Sequence, residues 1–477
     1  MDNNNEKKYV RAKTWQMAAF ALNNTASNSA FFMMTFYMFF NQNILGLSAV
    51  VVGAIATAMR IFDGITDPFC GYIMDKTNGR FGKFRPFMVI GNLMICVTIY
   101  LIFNAPLDMS ANAKYVYTAG FYAIYVLGYT MQNAVTKGAQ AALTNDPKQR
   151  PIFSIFDATY NTILYAVGPW LLTTLLARKF SVGAYEGGKG LINPDLWHTA
   201  SIIFIVFMVV CTWIAIFAIK DRDTAEFYET KSDATLIKFS HFFDILKGNA
   251  AIRAVILADV FDKFAAMLMN GILVYVFANI FLNSALQGTF SLVSIIPALA
   301  ITLFGVNRGK KVGLRTTYLT GVGGSFCSLV VMILIMVVFG TNMSTPWIFL
   351  SVYIIQKGFM NMSGNIVIPI IGDISDYELA RSGRFSPGMI GTLFSFADKC
   401  VSSLSSLVTG FVLAAAGMAN SIIEPNVDYG SQFNTAILIA FCGIPAICNV
   451  ISFMSMKFLY PLTKEKMNEV QTKNLSK

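Results

Sequence analysis

Arg60-Ile-Phe-Asp63-Gly-Ile-Thr66-Asp67-Pro68-Phe-Cys70-Gly71-Tyr-Ile-Met74-Asp75-Lys76-Thr-Asn-Gly79-Arg80-Phe-Gly82-Lys83-Phe-Arg85-Pro86 ends an apolar run that starts at Ala49. A bilayer core of about 30 Å takes about 20 residues of helix, so this run is long enough to cross it. On a helix Asp63 and Asp67 lie one turn apart and Arg60 precedes Asp63 by three, so the three share a face. A carboxylate at mid-membrane costs about 2.5–3.5 kcal/mol on insertion scales, and two on one face also repel each other. The pair therefore needs a proton, a metal cation or a basic partner. Behind it Lys76, Arg80, Lys83 and Arg85 crowd the following loop, which marks that loop as cytoplasmic. Buried acids beside a basic loop point to a cation-coupled transporter.

The composition agrees. The chain has 477 residues, 55% hydrophobic and 13% charged, with mean hydropathy +0.57, far from a soluble globular profile. A net charge of +10 would suit nucleic acid, but the basic residues fall in short loops between apolar runs, as the positive-inside bias demands. No nucleic-acid partner is expected. All seven cysteines (Cys70, Cys96, Cys211, Cys327, Cys400, Cys442, Cys448) sit in or beside apolar segments. That is neither a disulfide framework nor a zinc spacing. The start, Met1-Asp-Asn-Asn-Asn-Glu-Lys-Lys, lacks a signal peptide's order of basic, apolar and small residues.

About twelve apolar segments are predicted: 14–41, 48–74, 86–104, 112–142, 152–177, 198–220, 250–282, 288–306, 315–340, 346–371, 388–417 and 432–460. Their loops alternate between basic and nearly Lys/Arg-free, with Arg178, Lys179 and Lys189 as exceptions. An even count places both termini in the cytoplasm. Charge density jumps between 220 and 250, dividing the helices six and six. The expected organisation is a six-helix bundle over 1–220, a cytoplasmic linker with an amphipathic helix over 221–249, a second bundle over 250–460 and a tail over 461–477. No strong internal repeat is visible; Asn307 to Arg315 only faintly echoes the first basic loop.

The pattern D-x-x-x-D-P-x-x-G-x-x-x-D-x-T-x-x-R-x-G-K-x-R-P, filled without a gap from Asp63 to Pro86, resembles the signature of the glycoside–pentoside–hexuronide:cation symporters, the branch that holds melibiose and glucuronide permeases. Gly71, Asp75, Lys76, Gly79 and Arg80 also resemble the loop motif of the major facilitator superfamily at large. A second stretch, Gly372-Asp373-Ile-Ser-Asp376-Tyr377-Glu378 followed by Arg381, Gly383, Arg384 and Gly388, is similar to the family's loop between its tenth and eleventh helices. Leu393-Phe-Ser-Phe-Ala-Asp398-Lys399-Cys400 resembles a glucuronide-permease segment. The resemblance implies twelve membrane helices in the major facilitator fold. It makes Asp63 and Asp67 the cation ligands, with Thr66 lending a hydroxyl and Lys399 balancing the empty site. Asp75, Arg80, Asp373, Asp376 and Arg384 would latch the cytoplasmic side.

Where substrate is held is less uniform. Asn23, Ser27 and Asn28 in the first segment can share a stripe facing a polar cavity, or can simply bond helix to helix. The family commonly carries an Asp there, and this chain does not. Asn133 aligns with the family's fourth-helix Asn or Asp. Lys137, one turn further, either pairs with Asp157 or meets an anionic substrate group. Asp259, Asp262, Lys263 and Lys357 have no family counterpart.

An intramembrane enzyme is the rival from another class. The histidines, His198 and His241, lie at loop boundaries, and no nucleophile–base spacing or H-E-x-x-H is present. Gly79 to Lys83 lacks the glycine spacing of a phosphate loop. The expected function is therefore cation-driven uptake of a glycoside, pentoside or hexuronide by a monomeric cell-membrane carrier surrounded by lipid, needing no cofactor beyond the co-transported Na+, Li+ or proton. A lysolipid carrier of the same fold is the alternative.

Overall fold

The computed structural model describes residues 11–77, 79–138, 150–223, 248–340, 346–382 and 387–475. Among these residues twelve main helices succeed one another before a short terminal one. They are α1 (Thr14–Met34, resumed as Tyr37–Asn43), α2 (Ala49–Lys76), α3 (Arg85–Phe103), α4 (Ala111–Gly138) and α5 (Arg150–Pro169, continued by a π-helical stretch Trp170–Leu176). Then come α6 (Pro194–Ile219), α7 (Ala250–Tyr275, continued by Val276–Ile280), α8 (Ala285–Val293 and Ile295–Val312) and α9 (Leu314–Phe339). The last are α10 (Pro346–Ser382), α11 (Pro387–Ala415) and α12 (Ser431–Leu438, Ile439–Gly443 and Ile444–Met454). A terminal helix α13 (Lys464–Leu475) packs on α10. The amphipathic helix expected in the linker lies outside the described residues.

Seven of these (α2, α3, α6, α7, α9, α11 and α12) are long and apolar enough to cross a membrane on composition alone. In α1, α4, α5 and α10 polar side chains dilute the apolar run, and α8 breaks at Ser294. Those diluted helices carry much of the polar chemistry described below.

Helix ends differ from the expectation in two places, for one reason. The segment expected to stop at 371 continues as helix to Ser382, through Asp373, Asp376 and Glu378. The basic stretch after 306 is likewise helical to Val312, and turns only at Gly313, whose φ of 93° suits glycine. The end of an apolar run marks where lipid stops, whereas the backbone goes on satisfying its own hydrogen bonds. At 37 residues and 1.5 Å per residue, α10 is about 55 Å long and overshoots a core of about 30 Å.

The packing reveals a repeat that the residues conceal. Within the first six helices α1 packs on α5 and α6, α4 on α2 and α3, and α3 on α6. Within the second six, α7 packs on α11 and α12, α10 on α8 and α9, and α9 on α12. Each pairing recurs six helices later. Two seams join the halves, α2 against α11 and α5 against α8, and the same shift exchanges them. Helices α2 and α11 come close because Gly53 and Gly410 have no side chain: a Cβ on Gly53 would lie 2.5 Å from Ser406 O, and one on Gly410 2.6 Å from Ala49 O.

The halves are tied at the end bearing the α1–α2 and α11–α12 connections. Gln42 donates to Met418 O (2.9 Å), Ile423 N donates to Asn43 Oδ1 (2.5 Å), and Lys189 pairs with Glu424 (2.5 Å). Toward the opposite end, bonds form within each half among the described residues. Asp223, fully buried after α6, accepts from the N–H groups of Lys83, Phe84 and Arg85 and from the Arg85 side chain, which caps α3. Gly82 permits this with φ 85°, since a Cβ there would overlap the Asp223 carboxylate. Glu378 on α10 accepts from Asn249 and Arg381.

Candidate functional site

Asp63 and Asp67 lie on one face of α2, and Lys399 of α11 stands between them. Its ammonium is 2.8 Å from Asp63 Oδ2 and 2.5 Å from Asp67 Oδ2. The Asp67 contact is a hydrogen bond, whereas Asp63 Oδ2 faces the ammonium without an aligned bond. Asp63 is 2% exposed, while the Asp67 side chain is 30% exposed. Asp63 Oδ1 accepts from Thr130 Oγ1 of α4 (2.9 Å). The Thr66 hydroxyl donates to Asp63 O (3.1 Å) and touches Thr130 Oγ1 (3.3 Å). Thr66 therefore reaches the carboxylates through Thr130. Thr130 escaped the sequence reading, its one signal being a hydroxyl three residues before Asn133 on a helix.

Arg60, one turn before Asp63, turns instead into a central cavity between the halves. The cavity is lined by Phe31, Tyr122, Asn270, Ser402, Ser406 and Thr409 among others. The guanidinium sits 4.8 Å from the Phe31 ring centroid, with one nitrogen 3.9 Å from Met267 Sδ. Among the described residues no carboxylate lies within ion-pair distance of it. A cation–π contact is worth about 0.5–2 kcal/mol, less than the several kcal/mol that burying an unpaired ion costs. The arginine is held in place but not neutralised.

The expected substrate residues are distributed differently. Asn23 is fully buried, donating to Gln132 O and Thr136 Oγ1 on α4, and Ser27 is fully buried, bonded to Asn23 O. Neither lines the cavity in this conformation: Asn23 bonds α1 to α4, and Ser27 bonds the backbone of its own helix. Asn28 donates to Asn161 (2.8 Å), and Asn24 donates to Asp157 (2.7 Å), forming a polar ladder between α1 and α5. Asn133 is half-buried on α4, one turn after Tyr129. Lys137 is on α4, with its side chain outside the described residues.

Of the latch residues, Asp75 ends α2 with its side chain outside the description, as is the whole of Arg384. Arg80 is exposed, and Asp373 and Asp376 are half-buried at the far end of α10. There, beyond the membrane-spanning stretch, burial and then the neighbouring Asp376 push the Asp373 carboxyl up to about 6.

The second half holds acids of its own. Asp259 and Asp262 on α7 are 5% and 3% exposed. Asp262 Oδ2 accepts from Ser363 of α10 (2.8 Å). One oxygen each of Asp259, Asp262 and Asp398 is buried without a hydrogen-bond partner. Asp259 and Lys263, one turn apart on α7, form no ion pair among the described residues. Among the described residues no three His, Cys, Asp or Glu side chains converge as metal ligands.

The family described as MFS/sugar transport protein matches residues 19–464. The chain is 26% identical to the putative glycoside/cation symporter YagG of Escherichia coli (strain K12), covering 91% of this chain and 88% of that protein. It is 24% identical to the isoprimeverose transporter of Lactiplantibacillus pentosus (96% and 90% covered). It is 23% identical to a glucuronide carrier protein homolog of Escherichia coli (strain K12) (96% and 94% covered). Among solved structures the D-xylose-proton symporter superposes with a TM-score of 0.61 at 13% identity, covering 94% of this chain and 98% of that one. At that identity the likeness concerns the fold.

Proposed function

The chain belongs to the family of MFS/sugar transport proteins, a multi-pass membrane transporter and not an enzyme, and from that premise we propose that it is a symporter. It moves a glycoside, pentoside or hexuronide with a monovalent cation across the cell membrane by alternating access. The observation that carries this reading is Lys399 bridging Asp63 and Asp67 from the other half of the molecule. The two carboxylates, with the Thr130 and Thr66 hydroxyls behind them, offer hard oxygen donors to a proton, sodium or lithium.

The coupling follows from electrostatics. While Lys399 occupies the pair, α2 and α11 are pinned across the seam. A cation entering the pair takes over that counter-charge and frees the lysine, so the two halves can rearrange around a filled site. The basic ends of the helices, including Lys83 and Arg85, face the cytoplasm, so the tied end is extracellular. Both termini are then cytoplasmic. Asp75, Arg80, Asp373, Asp376 and Arg384 close that side when the carrier faces outward. Sugar occupies the central cavity, among Tyr122, Asn270 and the hydroxyls of α11.

Liposomes with an inward sodium, lithium or proton gradient test the reading. The wild type is expected to accumulate labelled glycoside above the external concentration. Asp63→Cys and Asp67→Cys are expected to lose accumulation while remaining in the membrane. Normal uphill uptake by both variants would overturn the assignment.

A further inference from the structure

Arg60 is the one charged side chain among the described residues that line the central cavity. Phe31 and Met267 hold its guanidinium in place, yet it has no carboxylate partner among the described residues. Around it the cavity offers the exposed Asn270 amide, the Tyr122 ring and the α11 hydroxyls of Ser402, Ser406 and Thr409. We propose that Arg60 anchors an anionic group of the carried sugar, so that the cargo is a sugar acid bearing a carboxylate.

The inference rests on the symport reading for its cargo class and sharpens it. A guanidinium presents two parallel N–H donors that match a carboxylate's two oxygens. The surrounding amide, hydroxyls and aromatic ring suit the rest of a pyranose.

The test uses purified full-length protein and two matched pairs, the methyl glucuronide with the methyl glucoside and the methyl galacturonide with the methyl galactoside. Within each pair the sugars differ only in a carboxylate for a hydroxymethyl. By calorimetry with saturating sodium or lithium, at least one acid is expected to bind about ten-fold or more tighter than its neutral counterpart. Arg60→Gln is expected to lower that affinity about 100-fold, with Arg60→Lys intermediate. Equal binding of acid and neutral sugar, or unchanged acid affinity in monodisperse Arg60→Gln, overturns the anchor. The wild-type comparisons decide even if the variants fail to fold. Cation-driven uptake of neutral glycosides alone overturns the anchor and leaves symport standing. Arg60-dependent acid binding with no cation-driven uptake supports the anchor and removes symport.

Discussion

Each half of the molecule buries acids, and the halves handle them differently. Asp63 and Asp67 on α2 receive their positive charge from Lys399, which belongs to the opposite half. Asp262 on α7 receives a hydroxyl from Ser363 on α10, which belongs to its own half. A contact across the seam must break when the halves rock apart, whereas one inside a half travels with it. The first arrangement can therefore sense conformation, and the second serves as structure. Asp398 and Lys399 condense this contrast into adjacent residues. The lysine reaches across to α2, while one oxygen of Asp398 stays buried and unbonded.

The largest expected effect comes from breaking the first arrangement. Lys399→Ala leaves the buried Asp63 and the partly exposed Asp67 carboxylates facing each other, and breaking a buried pair costs about 3–5 kcal/mol. The thermal midpoint in cation-free detergent should fall sharply and recover with added sodium or lithium, more steeply than in wild type. Identical cation dependence of the two midpoints would refute the lysine's role as a stand-in for the cation. Ser363→Ala tests the other side of the contrast. It removes a hydrogen bond to a buried carboxyl and should cost about 1.5 kcal/mol, visible in chemical denaturation. The ratio of internal to external sugar should stay at the wild-type value, and a collapse of that ratio would mean the second acid group also couples.

Thr130→Val is a smaller probe of the first group, deleting the hydroxyl that holds Asp63 Oδ1. About 1 kcal/mol of lost interaction corresponds to a roughly five-fold weaker apparent cation affinity in uptake titrations. Unchanged affinity would separate Thr130 from the site. The smallest effect concerns Asp373, outside the spanning stretch. Its folded-state pKa of about 6 lies above the ordinary carboxylate value of 3.8, so the folded protein holds the proton more tightly than the unfolded chain. Stability from this group is fully present below the unfolded value and is lost as pH rises through about 6. Between pH 4 and 6 the wild-type midpoint should therefore decline relative to Asp373→Asn. Parallel pH profiles would count against it.

The helices were legible because lipid imposes a length and a polarity on any crossing segment. The stretch from Ala49 to Met74 and its basic sequel could be placed from residues alone. Helix ends were less legible, as α10 shows, because hydropathy reports the membrane boundary and not the last hydrogen bond. The six-helix repeat was invisible because packing can be conserved in geometry by quite different side chains. Within the site, Asp63 and Asp67 announced themselves through the cost of burying them. Thr130 did not, since a threonine in a membrane helix usually bonds its own backbone.

What the sequence by itself determined is local: which segments cross, which acids share a face of α2, and that those acids require a positive partner. The resemblance supplied Lys399 as that partner. The tertiary structure alone decided how the polar residues divide between cavity and seam. Asn23 turns to α4, Ser27 bonds its own helix backbone, Asn28 turns to α5, and Arg60, on the same face of α2 as Asp63, faces the cavity. Helical periodicity fixes the angle between side chains on one helix, but the neighbour each angle meets depends on how α1, α2, α4, α5 and α11 cross. That crossing is settled by close packing over the whole bundle, to which residues hundreds of positions apart contribute together.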